Sequence, residues 1–218
     1  MITRLKPFLK PNVLEAGLDE VARGCLIGRV YAAAVVWNPY IEQMLGHNPK
    51  ISGMIDSIRD SKKVKPDKRK ELAKFIENYS IACSVAWVDE REIDKINIRN
   101  ASLKAMHLAL DKLPLTPQHL IVDGNAFNDY NDIPHTTVIK GDDKYISIAA
   151  ASILAKTYRD EYLMKLVDDN PSFEVYDLRN NSGYGTKNHL NAIKKYGITH
   201  YHRKTFGICK KYVKKIRK

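Results

Sequence analysis

The chain has 218 residues, 44% of them hydrophobic and 28% charged, which suits one soluble domain over residues 1–218 with a buried core. Lys and Arg number 36 against 25 acids, a formal charge of +11; such an excess attracts polyanions, nucleic acid first among them, although a basic solvated surface without a polyanionic partner has the same composition. Cys25, Cys83 and Cys209 form no C-x-x-C pair, which argues against a zinc site or a disulfide framework. Residues 1–12 lack a signal peptide's apolar core and the longest apolar run, residues 30–37, is too short to span a bilayer, so a cytoplasmic location without membrane contact is expected.

In chain order, residues 14–18 and 28–37 read as strands, the second rich in Val and Ala and therefore buried. Residues 81–88 read as a third strand, and residues 96–113 follow with helical spacing of Ile98, Ala101, Ala105 and Leu108. Two short apolar or β-branched runs, 120–122 and 136–139, stop at Asp123-Gly124 and Lys140-Gly141-Asp142, as buried strands do where they meet a loop. A long helix is expected over residues 147–167, its small alanines allowing close approach to a sheet, with Asn170-Pro171 ending it. Lys187–Tyr196 reads as a shorter helix closed by Gly197. No element is assigned between residues 38 and 80. Strands followed by helices in this order indicate an α/β fold: a mixed central β-sheet flanked by helices, with a C-terminal helical region.

Acidic residues stand at three strand ends: Asp19-Glu20, Asp123 and Asp142. Sheets of this kind place their chemistry there. Carboxylates converging on one pocket repel one another, and a hard dication removes that repulsion. With no His or Cys beside them, Mg²⁺ or Mn²⁺ is expected rather than zinc. Taken singly, each acid has another explanation. Asp123-Gly124-Asn125 fits a turn, Asp142-Asp143 fits a helix cap, and Asp19-Glu20 fits surface charge. Strand alternation also sends Asp19 and Glu20 to opposite faces unless the strand ends or twists there. Spacing alone therefore yields a candidate metal site.

These residues and their neighbours resemble ribonuclease HII. Ala16-Gly17-Leu18-Asp19-Glu20-Val21-Ala22-Arg23-Gly24 is similar to the family's opening motif, an apolar strand running into Asp-Glu and then Gly-Arg-Gly. Asp60-Ser61-Lys62-Lys63, Ile93-Asp94-Lys95-Ile96-Asn97-Ile98 and Val122-Asp123-Gly124-Asn125 resemble the next motifs. Lys140-Gly141-Asp142 with the helix around Ser152-Ile153-Leu154-Ala155-Lys156 follows, then Gly183-Tyr184-Gly185-Thr186 and His202-Arg203-Lys204-Thr205-Phe206. The resemblance implies a ribonuclease H-like fold and a metal-dependent endoribonuclease that hydrolyses the RNA strand of RNA–DNA hybrids. It also implies nicking of DNA 5′ of embedded ribonucleotides, leaving 3′-OH and 5′-phosphate ends, in ribonucleotide removal. Asp19, Glu20, Asp123 and Asp142 would hold two divalent ions, Mg²⁺ or Mn²⁺. Ala22, Arg23, Gly24 and Tyr184 would surround the 2′-OH that marks RNA, and Ser61 and Lys62 would hold the phosphate backbone.

One departure is notable: Ala22 stands where the family usually has Gly, and Cys25 where Pro is common. Alanine keeps its N–H, but a positive φ at that position would strain it, so junction recognition is expected to persist in weakened or relaxed form. The tail, residues 210–218, carries six basic residues and either tracks the duplex or is a solvated terminus. No clamp-binding peptide is recognised, and a monomer is expected because no heptad segment offers a partner helix. The sister group, ribonuclease HIII, carries an additional N-terminal domain, for which the 18 residues before Asp19 leave no room. A catalytically inactive hybrid-binding module would keep the basic surface but has no need of the four acids.

Overall fold

The structure, a computed structural model, describes residues 4–46 and 48–213. Its frame is a five-stranded sheet of β1 (Glu15–Val21), β2 (Val30–Val36), β3 (Ala82–Val88), β4 (His119–Asp123) and β5 (His135–Val138), in the order β3-β2-β1-β4-β5. β1, β2 and β3 pair antiparallel, whereas β4 lies parallel to β1 and β5 parallel to β4, so the sheet is mixed as expected. β2 is buried along its whole length, which explains its lack of polar alternation.

Seven α-helices accompany the sheet among the described residues: α1 (Ile41–Met44), α2 (Pro49–Ser57), α3 (Pro66–Tyr79), α4 (Glu90–Asp111), α5 (Ile146–Asp169), α6 (Leu178–Asn181) and α7 (Lys187–Tyr196). α2 and α3 fall in the stretch where no element was assigned. Both open on proline, α2 after an Asn48 side chain that accepts from Lys50 N, the arrangement expected of helix starts. α4 also starts earlier than expected, capped by Asp89, and breaks at Asn97, whose φ of 67° leaves the helical region. The Asn97 carboxamide accepts from Asn100 N at 3.1 Å and so caps the second half, which is the part its apolar spacing predicts.

Two layers of core result. The faces of β2 and β3 turned towards α3 and α5 pack Tyr31, Val35, Leu72 and Ile76 against Ala150 and Leu154. On the other face Leu18, Val30, Val36 and Leu120 meet Ala101, Ala105 and Met106 of α4. A third cluster joins the second half of α5 to the C-terminal segments through Leu166, Tyr176 and Ile193. The expected C-terminal helical region is therefore a layer packed on α5. Residues 207–212 form a 3₁₀ turn, and residues 214–218 of the basic tail lie outside the described residues. No described helix is long and apolar enough to cross a membrane.

Gly17 sets the distance between β1 and α5. A Cβ at this position would fall 2.5 Å from Ile148 N, well inside van der Waals contact, so only glycine lets the helix lie this close. At the opposite end of β1, Glu15 is buried but fully engaged: it accepts from Leu9 N, Lys10 N and His119 Nδ1 at 2.8, 3.1 and 2.9 Å. A buried acid answered by donors is a structural fastening. Asp19, four residues on, is placed differently.

Candidate active site

A cavity of about 550 Å³ opens at the C-terminal ends of β1 and β4, bounded by Asp19, Glu20, Asp123, Asp142, Ser61, Lys62, Tyr184 and the segment Ala22-Arg23-Gly24. The four acids and the six residues expected to contact substrate thus share one depression.

Each acid is delivered by a different local device. β1 does not stop at Leu18 as expected but runs on through Val21, because Asp19, Glu20 and Val21 still pair with Ala33, Ala32 and Tyr31. Alternation therefore holds: Asp19 is buried on the α5 side, and Glu20 lies on the α4 side beside Asp123. Both reach the cavity because it wraps round the strand's end. Asp123 is the last residue of β4, with Gly124 turning away at φ 96°, so the expected turn follows an acid that still lines the cavity. Its Oδ1 accepts from Gly141 N at 2.7 Å, which ties β4 to the 3₁₀ turn Gly141–Asp143 that carries Asp142. The alternative of a helix cap fails: α5 begins at Ile146 after Tyr145, with no side-chain cap. Asp143 instead pairs with Lys63 at 2.5 Å, fastening this turn to the Ser61–Lys63 turn.

The electrostatics follow from crowding. Burial first, then the charges of Glu20 and Asp123, hold the Asp19 carboxyl well above the usual carboxylate range. Burial also raises Glu20, against the pull of Arg23 at 3.1 Å. Asp142 is pushed up to about 6 by burial and by Asp123, Asp60 and Asp143, with Lys62 opposing. Among the described residues, no three His, Cys, Asp or Glu side chains already converge closely enough to share one ion. The donor chemistry still fits a hard dication: four carboxylates, of which Asp19 accepts from Glu20 N, Asp123 from Gly141 N and Glu20 from Arg23, carry repulsion that only positive charge or protons relieve.

Two further walls of the cavity are the main chain of Ala22-Arg23-Gly24 and the Tyr184 ring. Ala22 has φ 72°, the left-handed conformation that glycine adopts without strain. Gly24 faces the Tyr184 ring, where an added Cβ would sit 3.5 Å from Cε1. Tyr184 itself is 42% exposed, leaving ring surface free to stack. Gly183, at φ 76°, leaves no room for a side chain beside Arg159 and Ile27.

Three cavity residues on α5 have no role in the sequence reading, Ser152 and Lys156 standing there only within a motif and Arg159 not at all. Their spacing of four and three residues puts them on one helix face, and polar residues recurring at that spacing amid Ala, Ile and Leu are the signal that could have found them. The Ser152 hydroxyl lies between Asp19 and Ser61 Oγ, 2.9 Å from the latter. Arg69, almost fully buried, donates to Ser61 O at 3.1 Å and Val64 O at 3.2 Å and holds the Ser61 turn in place.

The family model described as Ribonuclease HII matches residues 16–209. A protein named Ribonuclease HII from Bacteroides fragilis is 51% identical over 204 residues, 94% of either chain. Among solved structures, the ribonuclease H2 of Pyrococcus horikoshii OT3 superposes with a TM-score of 0.73 at 24% identity, covering 92% of this chain and 97% of that one. Bst-RNase HIII in complex with Mn²⁺ superposes at 0.60 with 20% identity over 83% of this chain and 69% of that one.

Proposed function

Because the chain belongs to the ribonuclease HII family, whose members are endonucleases acting on RNA in RNA–DNA hybrids, we propose that it also nicks duplex DNA at the phosphate 5′ to an embedded ribonucleotide. Asp19, Glu20, Asp123 and Asp142 are the proposed holders of two divalent ions, Mg²⁺ or Mn²⁺. The observation that carries this reading is the meeting of four carboxylates with the Ala22–Gly24 segment and Tyr184 in one cavity. Bound there, such ions would activate a water and neutralise the leaving oxygen.

The polarity of the cut has a chemical reason. When the bond from phosphorus to the preceding sugar's 3′ oxygen breaks, the ribonucleotide keeps the phosphate on its 5′ side. Its own 2′-OH lies on the far side of the sugar and cannot be the nucleophile. The 2′-OH therefore serves for recognition, by the backbone N–H groups of the Ala22-Arg23-Gly24 segment and the Tyr184 ring. Lys62, with Ser61 beside it, meets the phosphodiester backbone, which positions the duplex without reading sequence. The basic excess of the chain, +11, supports association with a polyanion and predicts weakening by salt.

The test is cleavage in Mg²⁺ of two labelled duplexes, one all-DNA and one with a single ribonucleotide. One cut 5′ of the ribonucleotide, lost in EDTA and in Asp142→Asn, is expected. Binding without cleavage in both Mg²⁺ and Mn²⁺ would instead favour a hybrid-binding module. Digestion of long hybrids alone would mean that junction recognition is lost at Ala22.

A further inference from the structure

His202 and Arg203 are adjacent, fully buried and polar, and they reach different walls of the cavity. The Arg203 guanidinium donates to three main-chain carbonyls of the loop that follows β1: Nη1 to Arg23 O at 2.9 Å, Nε to Gly28 O at 2.9 Å and Nη2 to Arg29 O at 3.1 Å. Its own N–H reaches a fourth, Leu26 O, at 2.8 Å. Burying a cation among carbonyl dipoles, with no ion pair among the described residues, is costly unless its donors find acceptors. Here each of its three nitrogens donates once to the main chain of the loop around Gly24.

His202 serves the other wall. Its Nδ1 accepts from Thr199 N at 2.9 Å, and since a backbone N–H can only donate, the ring's proton must sit on Nε2. That Nε2–H then donates to His189 Nε2 at 3.1 Å. The proton of His189 is thereby confined to Nδ1, which donates to Tyr184 O at 3.0 Å. Burial keeps both rings neutral, so the chain of donors has a single direction. The two walls are also joined directly, Leu26 N donating to Gly183 O at 2.8 Å.

We propose that His202, His189 and Arg203 are positioning residues that set the shape of the slot that Gly24 and Tyr184 line side by side, and so govern selection of a sugar bearing a 2′-OH. This rests on the ribonucleotide reading given above. Ordinary core histidines need only fill space; these two work only if position 202 presents a donor at its far nitrogen and position 189 passes a donor to Tyr184.

Two substitutions separate these roles. His202→Asn keeps an acceptor for Thr199 N but loses the far donor, while His202→Gln can present an N–H at the far position. The measurement is the ratio of Kd for an all-DNA duplex to Kd for a duplex with one ribonucleotide, by fluorescence anisotropy with Ca²⁺ in place of Mg²⁺. A fall in active fraction alters both constants alike and leaves the ratio unmoved. The ratio is expected to fall at least fivefold in His202→Asn and in Arg203→Lys and to stay within twofold in His202→Gln. In cleavage, KM for the ribonucleotide duplex should rise more than kcat falls. An unchanged ratio in Arg203→Lys and His202→Asn, or Asn and Gln variants that behave alike, overturns the proposal. Where His202→Asn does not fold, Arg203→Lys decides. A parent enzyme that does not distinguish the two duplexes overturns the ribonucleotide reading itself, and the proposal with it.

Discussion

Gly17→Ala should be among the most damaging one-carbon changes in this chain. The new Cβ would meet Ile148 N and Ser147 Oγ at 2.5 Å, about 1 Å inside ordinary contact. The obstacle is the backbone of α5, which cannot rotate away as a side chain can. Overpacking of this kind costs about 1–3 kcal/mol, and a rigid obstacle puts the cost near the upper value. For a chain of this length, about 3 kcal/mol lowers Tm by roughly 6–12 °C. The same displacement would part Asp19, two residues further along β1, from Ser152 on α5, and a shift of about 1 Å at a reacting group can lower rate on the order of 100-fold. Gly53→Ala is the matched control: it lies within α2 with nothing near its added Cβ and should stabilise by about 0.5–1 kcal/mol. Calorimetric unfolding with single-turnover cleavage on the same preparations measures both effects. If Gly17→Ala melts within about 1 °C of the parent and cuts at full rate, the close-approach reasoning is wrong.

Three further outcomes are expected. At φ 72° Ala22 carries about 1–2 kcal/mol of strain, so Ala22→Gly, which also loses one buried methyl worth about 0.8 kcal/mol and gains unfolded-state freedom, should leave Tm within about 3 °C and cut a single-ribonucleotide duplex at least as well. Ala22→Val should lower both Tm and cleavage, and a fall of more than tenfold in kcat/KM for the glycine variant would contradict the strain argument. Asp142, held at about 6, favours the protonated form on folding; Asp142→Asn should therefore raise the metal-free Tm at pH 7.5 while abolishing cleavage, and Mg²⁺ should raise the parent's Tm more at pH 7.5 than at pH 5.5. His202 is pushed down to about 3 from 6.5; the unfolded chain takes up this proton first, so the associated stability is complete above pH 6.5 and lost as pH falls. At about 1.4 kcal/mol per pH unit, roughly 2 kcal/mol is gone at pH 5, and His202→Gln should flatten the fall in Tm between pH 6.5 and 5 relative to the parent.

Much of the site is legible in the chain because its parts are short and chemically marked. Asp19, Asp123 and Asp142 each follow closely on an apolar or β-branched run, and that placement marks them in the chain. What was misjudged depends on partners distant in sequence. β1 continues past Leu18 because β2 is still beside it, and no local feature of Asp19-Glu20-Val21 reports that. α3 is hard to read from sequence because its buried apolar residues, Leu72, Ala73, Phe75 and Ile76, fall in one short stretch among seven charged residues. Arg69 looks like one more of these, yet it is buried and holds the Ser61 turn. α4 was half seen because Asn97 divides it, and apolar spacing reads a single phase only on one side of the break. The pair His202-Arg203 stands out in sequence only by its position in a motif, because the grip of Arg203 on carbonyls up to 180 residues earlier is invisible until the chain closes on itself.

That closure has a consequence during synthesis. β1 and β2 leave the ribosome early and can pair as neighbours, yet β4, the Asp142 turn, Tyr184 and finally Arg203 must follow before the loop after β1 is gripped. With 180 residues between Arg23 and Arg203, and elongation at roughly 5–20 residues per second, about 10–35 s separate the appearance of the first acid from the completion of the slot. A growing chain thus carries Asp19 and Glu20 early, Asp123 and Asp142 more than a hundred residues later, and the grip of Arg203 on the loop after β1 last of all.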